Sequence, residues 1–235
     1  MITALNDVAP ALLAQLTDEE VVDRVRRGDT PLFELLMRRH NQRLFRTARA
    51  ILKDDAEAED VMQETYVLAF GHLADFEGRA RFSTWLTRIA VREGLARLRK
   101  RRRFASVEDS FGDDADGGEI AMTRDAQDPE KIAGDRELAR AIEAAIDELP
   151  TSFRAVFVLR AVEEMSGAEV AEALDIPEET VKTRLHRART AIQKRLLVRT
   201  DALTPDVYQF HLSRCDRVVE AVMKRIARRG PPETT

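Results

Sequence analysis

Residues 166–197, SGAEVAEALDIPEETVKTRLHRARTAIQKRLL, constrain the fold more than any other stretch, because they read as two helices joined by a tight turn, the second strongly basic. Ser166 followed three residues on by Glu169 is a capping-box pattern: the hydroxyl satisfies a free backbone N–H while the carboxylate reaches back to the cap. Val170, Ala171 and Leu174 then share one helix face, and Asp175, Ile176 and Pro177 break the helix. Proline suits the start of the next helix, where no donor is needed. In that second helix Val181, Leu185, Ala188, Ile192 and Leu196 recur at three- and four-residue spacing and form a core-facing stripe.

Counted at about 100° per residue from Val181, the opposite arc holds Glu179, Thr180, Lys182, Thr183, His186 and Arg187, with Arg184 and Arg189 at its edges. These side chains suit phosphates and base edges in a major groove. A basic amphipathic helix by itself is equally well a solvated surface. The cap, turn and preceding helix tip the balance to a helix-turn-helix that reads duplex DNA.

A chain of 235 residues with 44% hydrophobic content has room for two small helical domains. Its formal net charge of -4 conceals segregation. Between residues 79 and 103 ten basic residues (Arg79, Arg81, Arg88, Arg92, Arg97, Arg99, Lys100, Arg101, Arg102, Arg103) face the single acid Glu93, a local +9. Phosphates respond to that local charge rather than to the total. Phe76, Phe82 and Trp85 lie beside these arginines, a pairing suited to single-stranded nucleic acid, whose unstacked bases need flat apolar platforms. For Trp85 a plain core role remains open. Residues 105–136 lose helical period and carry -7, with Gly112, Gly117, Gly118 and Pro129 among them; this is a flexible acidic linker or solvated spacer.

Upstream, Thr17 and Glu20 form another capping box before Val21, Val22 and Val25, with Gly28 ending the helix. Pro31 starts a longer helix running to about Leu52. Asp54 or Asp55 caps a third over 56–70, stopped by Gly71, which buries Val61, Met62, Leu68 and one face of Tyr66. Its polar side, Glu57, Asp60, Gln63 and Glu64, invites a basic partner; acids near a helix start also complement the dipole, which suffices for Glu57 and Glu59 but less well for Gln63 and Glu64. Ser83 or Thr84 caps the basic helix, with Trp85, Leu86, Ile89, Leu95 and Leu98 apolar. Two further helices, Leu138, Ile142, Ala145, Ile146 and Leu149 up to Pro150, and Phe153, Val156, Phe157, Leu159 and Val162, build the core beneath the helix-turn-helix. No strand pattern occurs, so the fold class is all-α: two small helical domains joined by a flexible acidic linker, the second containing the helix-turn-helix. The domain boundaries read as 1–16 extension, 17–103 first bundle, 104–134 linker, 135–198 helix-turn-helix domain and 199–235 tail.

The amino terminus MITALNDVAPALLAQL has no basic leader, and no apolar run reaches membrane-spanning length, so a cytoplasmic protein is expected. One cysteine, Cys215, excludes an internal disulfide and a thiolate zinc cluster. His40, His72, His186 and His211 are far apart, and no phosphate loop, dinucleotide fingerprint or HExxH is present. No cofactor, catalytic residue or metal site follows, and the protein is not expected to be an enzyme.

The pieces EDVMQETYVLAF, FSTWLTRIAV and LPTSFRAVFVLRAVEEMSGAEVAEALDIPEETVKTRLHRAR, in that order over about residues 17–197, resemble the extracytoplasmic-function group of bacterial sigma factors. The resemblance implies a dissociable initiation subunit. Its first domain binds the clamp helices of the core RNA polymerase β′ subunit and captures the melted minus-ten strand. Its second reads the minus-thirty-five duplex and touches the β flap. An anti-sigma partner is typical of the family. Carried over residue by residue, Asp60, Gln63 and Glu64 match the clamp-binding surface. Phe82 and Trp85, with Phe76 and the arginines Arg88 and Arg92 nearby, match the minus-ten and melting segment. Thr180, Lys182, Thr183, Arg184, His186 and Arg187 fall on the recognition helix, and the acidic linker matches the segment that threads toward the RNA exit channel. Arg92 stands where the family usually has asparagine, Ala96 where it often has aspartate, and Glu179 where a PEGT turn has glycine. The alternative from another class is an autonomous helix-turn-helix transcriptional regulator with a separate helical sensor domain.

Beyond Arg199, Tyr208, Phe210, Leu212, Cys215, Val219, Val222, Met223 and Ile226 mark one more amphipathic helix. His211 and Cys215 share a helix face, but two ligands do not make a structural metal site, and a buried thiol is the better reading. Such a stripe requires a cover, and the helix-turn-helix domain is the expected one, with a partner protein as the alternative.

Overall fold

Every regular element is helical in the computed structural model, which describes residues 15–108, 139, 141–196, 208, 210 and 212–229; no strand occurs among these residues. The expected amino-terminal extension up to residue 14, the acidic linker from residue 109 on, Leu138 and His211 lie outside the described residues, while residues 104–108, expected in the linker, continue the helix that begins at Phe82. The described residues fall into two compact units, the first from those up to Ala48, Ala56–Glu93 and those after Tyr208, the second from Arg49–Asp55 and those between Gly94 and Tyr208.

In the first unit the capping box predicted at Thr17 opens α1 (Asp18–Arg26): the Glu20 amide donates to Thr17 Oγ1 at 3.2 Å and the Thr17 amide to Glu20 Oε2 at 2.8 Å. Gly28 follows at φ +104°, a left-handed conformation that costs a residue without Cβ little. Pro31 lies in a 3₁₀ turn (Thr30–Leu32), and α2 (Phe33–Leu52) continues from it. α3 (Asp55–Gly71) is buried on most of its circumference; Val61, Met62, Tyr66, Val67 and Phe70 are all in the core. Phe33 meets Tyr66 and Phe70 edge-on at 6.2 and 5.3 Å, and the Tyr66 hydroxyl donates to the Met37 carbonyl at 3.1 Å. Tyr66 is thus buried whole rather than by one face, and Leu68 only in part.

α4 (Phe82–Glu108) begins one residue before the expected caps. The amides of Thr84 and Trp85 donate to the Arg81 carbonyl at 3.0 and 3.1 Å, so Ser83 and Thr84 lie inside the first turn. The reason is burial: Phe82 at 0% and Thr84 at 1% exposure face inward, and the helix must already be wound to place them there.

The second unit contains the end of α2 together with a helix over 141–147 (α5), α6 (Thr151–Phe157), α7 (Gly167–Leu174) and α8 (Glu178–Leu196). α6 opens after Pro150 and widens into a π turn (Val158–Val162), with the Met165 amide donating to the Leu159 carbonyl at 3.0 Å. Ser166 and Glu169 form the predicted box before α7, and Asp175 at φ +53° ends that helix. Val156, Leu159, Met165, Val170, Ala173 and Val181 make the core here; Ala171, Leu174, Ile176 and Leu185 border it. Ala173 thus takes a place that the sequence pattern assigns to its neighbours.

Two arginines organise the polar interior of this unit. Arg154, 1% exposed, donates to the carbonyls of Asp147 (2.9 Å), Leu149 (2.8 Å) and Ala50, so one guanidinium closes the free carbonyl ends of two helices. Arg49 grips the Asp147 carboxylate through two bonds of 3.0 and 2.8 Å, reaches Asp55 at 2.8 Å, and lies 5.0 Å over the ring of Tyr208. The Tyr208 hydroxyl donates to Asp147 at 2.7 Å and its amide to Glu143 at 2.8 Å.

The tail helix α9 (Leu212–Arg229) forms as its periodicity predicts, but its cover is not the helix-turn-helix domain. It belongs to the first unit, where Cys215, Val218, Val219, Val222 and Ile226 are buried. Charge decides the partner: the polar flanks of the helix carry arginines, and the acidic side of α3 supplies their counter-ions.

The chain has two tyrosines, and burial pushes both phenols up; at Tyr208 the Asp147 carboxylate adds to the effect. A folded value above the unfolded one means that the unfolded chain loses its protons first, so stability holds below about pH 10 and falls above it. Tyrosinate absorbance at 295 nm should therefore rise together with loss of helical ellipticity in an alkaline titration. Ionisation of either tyrosine near pH 10 in a chain that remains helical would contradict these environments.

Candidate functional site

Three surfaces carry the predicted site residues. On α8, Val181, Ala188 and Ile192 are at most 1% exposed and seat the helix, which turns Lys182, Thr183, His186, Arg187 and Arg189 outward. Thr180 and Arg184 are half-buried at the edge. Thr183 Oγ1 donates back to the Glu179 carbonyl at 2.9 Å, and the Glu179 carboxylate lies 3.5 Å from Lys182 Nζ. That exposed pair contributes little to stability, and it sets an acid beside one of the cations of this face. Ser152 and Phe153 of α6 join Glu179, Thr180, Thr183, Arg184 and Arg187 around a shallow open groove. The part of α6 in this groove is invisible to a periodicity count, because it comes from a different helix.

The second surface surrounds the start of α4. Phe76, Phe82 and Trp85 form a triangle with ring centroids 5.4 to 5.7 Å apart, and His40 lies 5.7 Å from Phe82. The three rings are not equivalent. Phe82 is fully enclosed and Phe76 is 5% exposed, whereas Trp85 is half-buried. Phe76 and Phe82 thus support the indole from beneath and do not themselves present faces to solvent, contrary to their reading as platforms. Arg88 is half-buried and Arg92 exposed on the same helix. Arg26, which the sequence pattern does not single out, fixes the approach: its guanidinium donates to the Leu73 carbonyl at 2.9 and 2.7 Å, to Ala74 at 3.3 Å and to Phe76.

The third surface is the acidic side of α3, where Asp60 is exposed and Gln63 and Glu64 are half-buried. Glu64 Oε2 accepts from Arg225 of α9 at 2.5 Å. Glu59 is more enclosed; Arg214 reaches it at 2.6 Å and Arg217 at 3.1 and 3.2 Å. Glu59 therefore has two specific counter-ions and is more than a complement to the helix dipole, a role that only the tail reveals. No cluster of His, Cys, Asp and Glu arranged to hold a metal occurs among the described residues, and no described helix is long and apolar enough to cross a membrane.

Residues 36–104 match the family model for Sigma-70 region 2, and residues 139–192 that for Sigma-70, region 4. The chain is 33% identical over 187 residues to the RNA polymerase sigma-H factor of Pseudomonas aeruginosa, covering 79% of this chain and 96% of that one. It is likewise 33% identical to the ECF RNA polymerase sigma factor SigW of Bacillus subtilis, covering 74% and 94%. Among solved structures, CnrH in complex with the cytosolic domain of CnrY matches with a TM-score of 0.53 at 28% identity, over 75% of this chain and 95% of that one. The fold also matches the sigma factor RpoE of Bartonella quintana, in complex with the anti-sigma factor NepR, with a TM-score of 0.54 at 23% identity, over 70% and 94%.

The unequal burial of the aromatic triangle predicts unequal costs. Phe82→Ala should destabilise the first unit by roughly 3–5 kcal/mol, the range for emptying an enclosed aromatic site. Trp85→Ala, with one side already in water, should cost clearly less. Urea denaturation of the two variants provides the comparison, and equal losses would show Trp85 to be as much a core residue as Phe82.

Proposed function

The chain belongs to the extracytoplasmic-function sigma factors, and on that footing we propose how its three surfaces divide the work of promoter-specific initiation. A sigma factor binds core RNA polymerase and directs it to promoters, the region 2 domain acting at the minus-ten element and the region 4 helix-turn-helix at minus-thirty-five. Relatives of this class are held by anti-sigma factors, and such a partner is expected for this chain.

The exposed basic face of α8 carries this reading furthest. Lys182, Arg187 and His186, with Thr180, Thr183 and Arg184 at the groove edge, face outward from a helix whose opposite side is packed at 0–1% exposure. A rigid helix that presents donors on one face fits the major groove of the minus-thirty-five duplex. At the minus-ten element Trp85, backed by Phe76 and Phe82, supplies a stacking face, and Arg88 and Arg92 supply phosphate or base contacts. Arg92 in place of the family's asparagine keeps a donor there and adds charge. Asp60, Gln63 and Glu64 form the polymerase-binding side of α3. No membrane insertion and no cofactor enter the reading.

Mixed with core RNA polymerase, the chain should co-elute in gel filtration and yield transcripts from discrete start sites on genomic DNA, and Asp60→Lys should weaken the association. Lys182→Ala and Arg187→Ala should each weaken duplex binding by the holoenzyme. Each should also reduce the slope of log affinity against log salt by about one for a lost phosphate contact. Sequence-specific footprints from the chain alone, with no co-elution, would favour an autonomous regulator instead.

A further inference from the structure

The tail lies on the side of α3 that carries the polymerase-binding residues. Within its unit α9 contacts α2 and α3. On α2 the touching residues are Arg38, Asn41 and Phe45, three and four apart and thus one helix face. Arg38 pairs with Asp216 at 2.8 Å, the Asn41 amide lies 2.9 Å from the Cys215 thiol, and Arg214 lies 5.0 Å over the ring of Phe45. On α3 the contacts are the ion pairs from Arg214 and Arg217 to Glu59 and from Arg225 to Glu64. The lead-in to α9 is pinned as well: the Phe210 amide donates to Gln42 Oε1 at 2.8 Å, and its ring lies 4.8 Å from Phe45.

We propose that α9 is a displaceable cover, occupying in cis the face of α3 that core RNA polymerase must reach. This inference rests on the assignment of Glu64 and its neighbours to polymerase binding. Arg225 already satisfies Glu64 and competes with any polymerase cation for it, and an 18-residue helix laid over α2 and α3 excludes a second helix from that place. The bonding is of a kind that can be exchanged. Arg225 and Glu64 each keep 40% of their side-chain surface exposed, so that pair is accessible to a competitor and to salt. The apolar stripe of Cys215, Val218, Val219, Val222 and Ile226 provides the cohesion that keeps the cover closed when no competitor is present. A closed population lowers apparent affinity for polymerase by the fraction of molecules that are open, without any change in the binding face itself.

The native thiol provides a test in the full-length chain. Asn41→Cys places a second thiol beside Cys215, and oxidation should then lock α9 onto α2. The locked form should lose co-elution with core polymerase and regain it on reduction. Independently, reversing the tail charges with Arg214→Glu, Arg217→Glu and Arg225→Glu should open the cover and lower the apparent Kd for core about tenfold. Failure of the thiols to cross-link in the free chain would place α9 elsewhere and overturn the proposal. Equal binding by the oxidised and reduced forms would also overturn it, while leaving the sigma-factor assignment intact. Absence of core binding by the wild-type, reduced and charge-reversed chains alike would instead remove that assignment, and the cover with it.

Discussion

A carboxylate drawn out of water on the side of a helix requires a cation at hydrogen-bond distance, and this requirement governs the first unit. Glu59 keeps only 12% of its side-chain surface in contact with solvent, and two arginines of α9 meet it there. The pairing fixes which helix the tail can cover and in which register, because Arg214 and Arg217 lie one turn apart and Arg225 lies two turns further on, opposite Glu64. Apolar cohesion from the Val218, Val222 and Ile226 stripe is non-directional and would accept many partners. The charges make the choice among them.

The second unit applies the same requirement to carbonyls. Arg154 is buried among the ends of helices, where unpaired C=O groups would otherwise be stranded, and Arg49 is held between Asp55 and Asp147. Burial pulls the Arg49 guanidinium toward neutrality, but the Asp147 contact outweighs it and holds the group charged above its ordinary range. With the interior fixed in this way, α8 can present cations outward without giving up its seat on Val181, Ala188 and Ile192.

What could be read from the sequence was what is local. Both capping boxes, at Thr17 and Ser166, lie within four residues and form as their spacing implies. The α8 stripe and its basic arc follow from helical geometry alone, and family membership follows from three motifs in order. Long-range choices were not legible. Sequence reasoning leaves a plain core role open for Trp85 alone, whereas packing encloses Phe76 and Phe82 and leaves Trp85 half-buried. The cap of α4 moved because Phe82 had to be buried. Glu59 looked like an ordinary acid near a helix start because its partners are about 155 residues away, and for the same reason the amphipathic pattern of α9 announced a need for a cover without naming it.

On the proposed arrangement α9 closes the Glu64 side of α3 in the free chain, and core RNA polymerase opens it. Hydrogen exchange of the backbone amides, followed by mass spectrometry with and without core RNA polymerase, addresses it most directly. Peptides from residues 212–229 should be protected in the free protein and lose that protection on binding core, while peptides from α3 remain protected throughout. Protection of residues 212–229 that is the same in the free and polymerase-bound chain would show that the tail stays in place, and would contradict the account.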